Sequence, residues 1–303
     1  MKPAQARPHV PYPQSLEEFS DLDNVIRRFV LNNYPADDLL ADPQAVVVTQ
    51  GSCFASNVAS SLARLGARVA HLNVNEFINT TIANAMFFEH AFRGEDCAPA
   101  VREIFSRIME AQSLAQFREL VTTCRAFILT IGVAPCWFVR GTQQIVLQPD
   151  KRRMDDFEMR TTTPAWNADN IRRIIASIRA VNPATRIFLT LSPAPLNWSF
   201  EFPSTIVADC LSKSVLRVAI HEVLSAKPEG VRYWPSFEVV RWVGSHLGPV
   251  FGGDDGEPRH VSNFLVDAIV RNFISLHGGN PAAVAAAGKP FDNTGPFTLA
   301  RNF

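Results

Sequence analysis

The sequence predicts an open α/β fold built on a parallel sheet, and three observations carry that expectation. Short β-branched or aliphatic runs at 45–49, 67–72, 126–131 and 186–191 alternate with longer segments of helical period. Alternation of this kind implies parallel strands joined by crossover helices. A chain of 303 residues with 47% hydrophobic content can bury a sizeable core. Neither an internal repeat nor a linker between two cores is present, so one domain over 1–278 is expected, with a tail over 279–303.

Residues 1–15, MKPAQARPHVPYPQS, are punctuated by proline and form an arm that covers the domain or reaches a neighbouring copy, which leaves a homo-oligomer open. The run 45–49 enters Gly51, Ser52 and Cys53, and a helix over 55–65 follows, with Val58, Leu62 and Leu65 on one face and Gly66 as its cap. Two further helices are expected between 80 and 122, and an irregular strand pair over 139–150 around Gly141. A helix over 167–180 sets Ile171, Ile174, Ile175 and Ile178 opposite Arg172, Arg173 and Arg179. The last helix, 261–276, has Val261, Phe264, Leu265, Ala268, Ile269 and Phe273 as its core face. Beyond 278 the chain is small, Gly/Pro-rich and aperiodic.

Composition removes several function classes. Lys+Arg 29 balance Asp+Glu 29, so no basic field draws the chain to nucleic acid. The five cysteines, at 53, 97, 124, 136 and 210, have neither metal-ligand spacing nor the density of a disulfide framework, which suits a reducing cytoplasm. Prolines interrupt the N-terminus where a secretory signal needs an apolar run, and no stretch is long enough for membrane insertion. HEVLS at 221–225 lacks the second histidine of a zinc protease; with no GxxxxGK or GxGxxG either, neither a metal nor a cofactor is expected.

The chemistry concentrates in turns. A strand ending in Gly51 exposes Ser52 at the carboxyl edge of the sheet, where ligands bind in open α/β folds. Read locally, Ser52 is either a nucleophile beside free helix N–H groups or a plain helix cap. Cys53 is the rival nucleophile, although a small cysteine pointing into the protein is its commoner meaning. For the base, His260 stands in FGGDDGEPRHVSNF, a loop with Asp254, Asp255 and Glu257 at hand to orient an imidazole. His246 lacks adjacent acids and His221 lies in a helical run. Gly132 and Ser192 each follow a strand, so three loops converge at one edge and outline a cleft. Trp137, Trp198, Trp234 and Trp242 fall in or near these loops; aromatic walls suit sugars or acyl chains, and core packing is the alternative that explains most tryptophans.

GSCFA at 51–55, TIG to Trp137 at 130–137, NPATRIFLTLSPAPLNWSF at 182–200, SKSVLRVA at 212–219 and YWPSFEVV at 233–240 together resemble, in order, the blocks of the GSCFA family, a bacterial group related to the SGNH or GDSL-type hydrolases. The resemblance runs over roughly 45–275. It implies a three-layer α/β/α domain with a flavodoxin-like parallel sheet and an acyl esterase or O-acyltransferase acting through Ser52 on a small ester or O-acylated carbohydrate. It also implies His260 as base, with Glu257 standing where such enzymes carry Asp, and Asp255 as the alternative carboxylate. Cys53, Asn79, Gly132, Ala134, Trp137 and Ser192 are then expected around the oxyanion and substrate. Asn79 matches an early Asn of the pattern, or else caps the helix that begins near Thr81, whereas Ala134 replaces a side-chain donor. The other expectation is a binding protein that kept the scaffold and lost catalysis.

Overall fold

The computed structural model describes residues 9–72, 78–93, 99–108, 111–279 and 297–299. Five parallel strands form its centre: β1 (Val46–Gln50), β2 (Arg68–Leu72), β3 (Ala126–Ile131), β7 (Arg186–Leu191) and β8 (Val231–Tyr233). They lie in the order β8-β7-β3-β1-β2, the flavodoxin-like arrangement once the parallel strands are counted along the chain. The segment expected as a tail adds β9 (Phe297–Leu299), antiparallel to β2 at the edge; residues 280–296 and 300–303 of that tail, and residues 1–8 of the arm, lie outside the described residues.

Successive strand residues point to opposite faces, and both faces are covered, which is why these runs read as continuous apolar stretches. Val48, Phe127, Leu129, Ile187 and Leu189 face one helical layer, and Val47, Val69, Ile128 and Phe188 the other. The first layer holds α3 (Thr81–Arg93), α5 (Ala111–Thr123), α6 (Pro164–Val181) and α7 (Thr205–Ser225). The second is α2 (Cys53–Arg64) and α9 (Asn263–Leu276), tied by the Ser61 hydroxyl and the Arg64 guanidinium on Asp267.

Several expected elements change. The region 80–122 forms three helices, α4 (Pro99–Ile108) lying between α3 and α5. The strand pair expected at 139–150 begins earlier, at β4 (Pro135–Val139), turns at Gly141 into β5 (Ile145–Val146), and gains a third strand, β6 (Phe157–Thr161), to make a separate antiparallel sheet. Val261 is not helical, because it bridges Phe251, and Phe264 is exposed. The described part of the arm covers its own domain: the Tyr12 hydroxyl bonds His246 Nε2 at 2.8 Å, and just beyond the arm Phe19 stacks on the same ring at 4.1 Å. His246 is thereby occupied in packing, and His221 lies on the exposed side of α7.

Candidate active site

Three adjacent parallel strands, β7, β3 and β1, deliver the turns at Ser192, Gly132 and Gly51–Ser52 to one edge. Gly51 has φ +141°, and a Cβ there would stand 2.4 Å from the Thr130 carbonyl oxygen. Only glycine lets the chain leave β1 this close to β3. Ser52 takes extended backbone angles and its carbonyl accepts from Ala55 at 2.8 Å, yet its side chain makes no capping bond. Its Oγ instead lies 3.0 Å from Ser192 Oγ. The hydroxyl therefore faces the end of β7, two strands away, rather than its own helix, against the cap reading.

Ser192 is buried and its N–H donates to Ile131 O at 2.7 Å, which continues the β3–β7 ladder past the last strand residue. Gly132 sits between the two serines: a Cβ added there would stand 3.3 Å from Ser192 Cβ and 4.0 Å from Ser52 Cβ. The peptide bonds are trans. Since the Ile131 carbonyl points toward β7, the Gly132 N–H points the opposite way, toward the side of β1 and Ser52.

Cys53 does not point into the protein. The inward face of α2 is taken by Phe54, Ala55 and Val58, and Cys53, one position earlier, is exposed. Asn79 is not the cap of α3, because the Thr80 hydroxyl accepts from Ala83 N at 3.3 Å. Thr80 bridges Val133, which holds Asn79 beside the Gly132 turn with its Oδ1 buried and unpartnered among the described residues. Ala134 is corrected as a substrate contact: it is fully buried, its N–H donates to Ser212 Oγ at 3.0 Å and its carbonyl accepts from the Thr162 hydroxyl at 2.8 Å. Trp137 packs on Phe200 at 5.1 Å, and Trp198, Phe200 and Trp242 are exposed. Trp234 is a core residue, set edge-on to Phe273 at 5.0 Å.

His260 lies on a loop closed by the Phe251–Val261 bridge and by Gly252 N donating to His260 O at 2.9 Å. The turn through Gly256, at φ +77°, folds Asp255 back so that its Oδ2 meets His260 Nδ1 at 2.6 Å. Asp255, and not Glu257, is therefore the carboxylate on the imidazole; Glu257 pairs with Arg259 at 3.1 Å. The hydrogen bond from His260, joined by one from Glu257 N–H, holds the Asp255 carboxyl below the usual carboxylate range. With Asp255 ionised, Nδ1 carries the proton and Nε2 presents its lone pair. Among the described residues the Ser52 hydroxyl and the His260 ring are not hydrogen-bonded to each other. The Ser192 turn and the loop of His260 meet through Arg241, which donates to Pro193 O at 2.9 Å while its guanidinium lies 5.4 Å from the Phe251 ring centre.

Sequence reasoning missed a buried charge cluster behind these turns. Lys213 donates to Gly132 O at 2.7 Å and stands 3.8 Å from Asp209, which also takes the Arg241 guanidinium at 2.8 Å and Leu196 N–H at 3.0 Å. Burial pushes the Lys213 ammonium down to about 8, with Asp209 acting against that shift and Arg241 adding to it. The signal was available: Asp209 and Lys213 fall on the same helical stripe as Leu216, Ile220 and Val223, where a solvated charge does not belong.

A profile of the GSCFA family matches residues 46–273. A comparison with curated protein sequences gives no match. Among solved structures, the chain is similar to a carbohydrate esterase family 2 enzyme with a carbohydrate-binding domain from Corynascus thermopiles (Myceliophthora fergusii), at 14% identity and TM-score 0.38 over 81% of this chain. It is also similar to the salicylyl-acyltransferase SsfX3 of a tetracycline biosynthetic pathway, at 15% identity and TM-score 0.39 over 80% of this chain. A family two carbohydrate esterase from Clostridium thermocellum, in complex with cellohexaose, matches at 10% identity and TM-score 0.34 over 80% of this chain. The chain spans 67%, 55% and 64% of the lengths of these three proteins.

Proposed function

The chain belongs to the GSCFA family, and from that membership and the geometry of its sheet edge we propose that it is a serine-dependent acyl esterase or O-acyltransferase. The observation that carries the reading is the Ser52 hydroxyl, turned away from its own helix and toward Ser192 and Gly132 at the carboxyl edge of the sheet. Ser52 Oγ attacks the carbonyl carbon of an ester, and its proton passes to His260 Nε2. The tetrahedral oxyanion is met by backbone N–H groups of the Gly132 turn and of the first turn of α2. Collapse breaks the bond to the alkoxy oxygen, which leaves with the proton from His260. Water or an acceptor alcohol then attacks the acyl-enzyme, losing its proton to His260 and restoring Ser52. Asp255, bonded to Nδ1, holds the ring in one orientation and stabilises the imidazolium that forms. Ser52 and His260 do not touch in this structure, so the reading requires the loop 251–261 to approach Ser52 in the ester complex.

An O-acylated carbohydrate or another small ester is the substrate class to test, with Trp137, Phe200, Trp198 and Trp242 as the apolar walls. Fluorophosphonate labelling tests the proposal: the wild type is labelled, Ser52→Ala is not, and Cys53→Ala still is. Labelling that survives Ser52→Ala, or a wild type unlabelled between pH 6 and 9, sinks it.

A further inference from the structure

We propose that Lys213 is a positioning residue for this site, its ammonium locking the Gly132 turn against Ser52 and setting a fixed positive charge behind the oxyanion. The inference rests on the acyl-transfer reading above and on four observations. The ammonium is fully enclosed yet bonded to a backbone carbonyl, Gly132 O at 2.7 Å, in the turn that separates Ser52 from Ser192. Its counter-ion is shared, since the buried Asp209 also holds the half-buried Arg241, so one carboxylate serves two cations. The charged or titratable groups that face Lys213 are Asp209 from its own helix, Arg241 from the segment Val239–Val243 and Cys53 from the start of α2. Lastly, Ala134 offers no side-chain donor, leaving the turn without a polar side chain of its own at that position.

Burying an ammonium is costly unless it is paired and hydrogen-bonded, and here the pairing is with a carboxylate 3.8 Å away that Arg241 shares. In a water-poor site such a charge acts over several ångströms on an oxyanion without touching it. Because burial holds the group near 8, the charge is present at neutral pH and is lost in mildly alkaline solution.

The test uses the full chain and a fluorophosphonate, with thermal melting to check the fold. Lys213→Met, which removes bond and charge, lowers the labelling rate by about 10- to 100-fold, less than deletion of a direct oxyanion donor. Lys213→Gln, which retains a donor without charge and guards against a Met variant that fails to fold, also lowers it. Wild-type labelling falls above about pH 8, Cys53→Ala retains that fall, and both Lys213 variants lose it. Amide exchange over 131–134 speeds up in Lys213→Met while the β2 amides are unchanged. Labelling of the variants at the wild-type rate, with the alkaline fall intact, overturns the proposal. If the wild type is never labelled, the acyl-transfer reading fails separately, and unchanged exchange over 131–134 then overturns the positioning role.

Discussion

Replacing Gly51 with Ala probes why the turn into Ser52 begins with glycine, and its cost can be worked from the backbone. At φ +141° any side chain is strained, by about 1–3 kcal/mol. The new Cβ would also lie 2.4 Å from Thr130 O and 2.7 Å from Thr130 Cβ, atoms of a central strand that cannot retreat without disturbing β3 and β7. Forced overpacking of this kind adds about 1–3 kcal/mol. Gly51→Ala should therefore lose about 4 kcal/mol, a large share of the 5–15 kcal/mol typical of a folded domain. Two other glycines serve as controls. Gly141 has φ +71° but open space around it, so Gly141→Ala should cost only about 1 kcal/mol of backbone strain. Gly132→Ala meets a side chain, Ser192 Cβ at 3.3 Å, and should cost little stability while displacing the Ser52–Ser192 contact and with it the labelling rate. Urea titrations read by circular dichroism give the three values. Equal losses for Gly51→Ala and Gly141→Ala would refute the close-approach argument.

The carboxylate assignment predicts that Asp255→Asn slows fluorophosphonate labelling by about 10- to 100-fold, whereas Glu257→Gln changes it by less than about 3-fold; a larger effect of Glu257→Gln reverses the assignment. Burial holds His71 at about 4 against the hydrogen bond it makes with Thr49. Below about pH 6.5 the unfolded chain takes up a proton that the folded chain refuses, so stability is lost as pH falls toward 4, by about 3 kcal/mol from this group. His277, kept low by burial despite Asp37, acts in the same sense. Urea midpoints measured from pH 7 to pH 4 should fall less steeply in His71→Gln than in the wild type, and parallel curves would contradict the assignment.

Four strands of the central sheet were legible because they are buried on both faces, so Val47, Val48, Phe127, Ile128, Phe188 and Leu189 stand out whatever surrounds them, whereas the short edge strands β8, only partly buried, and β9 were not expected. The small sheet was not, since β4 and β6 find each other across an intervening turn and β6 is only half-buried, without apolar alternation. Within the site, Ser52 and Ser192 could each be singled out as residues that follow a strand, but the direct contact of their hydroxyls, across 140 positions, cannot be deduced from spacing. Choosing between Asp255 and Glu257 needed the Gly256 turn, which decides the carboxylate that folds back and cannot be deduced from spacing. The misreading of Cys53 has a simpler cause. The helix expected from residue 55 starts two residues earlier, at Cys53, so Cys53 lies in its first turn, where Phe54 and Ala55 take the inward face and Cys53 is left outside.

How the Gly132 turn is held leads to a last prediction. Two consecutive residues of α7 grip it: Ser212 Oγ accepts the Ala134 N–H at 3.0 Å, and Lys213 donates to the Gly132 carbonyl at 2.7 Å. The turn thus carries few polar side chains of its own, and a helix from the layer beneath does the fixing. Ser212→Ala leaves the Ala134 N–H buried without that acceptor, which costs about 1–3 kcal/mol. Because both side chains restrain one peptide segment, removing the second after the first should cost less than removing it alone. A double-mutant cycle with Ser212→Ala and Lys213→Gln, read by urea unfolding, should show a coupling above about 0.5 kcal/mol. Strict additivity would mean that the two grips are independent, and that α7 clamps two separate atoms instead of one turn.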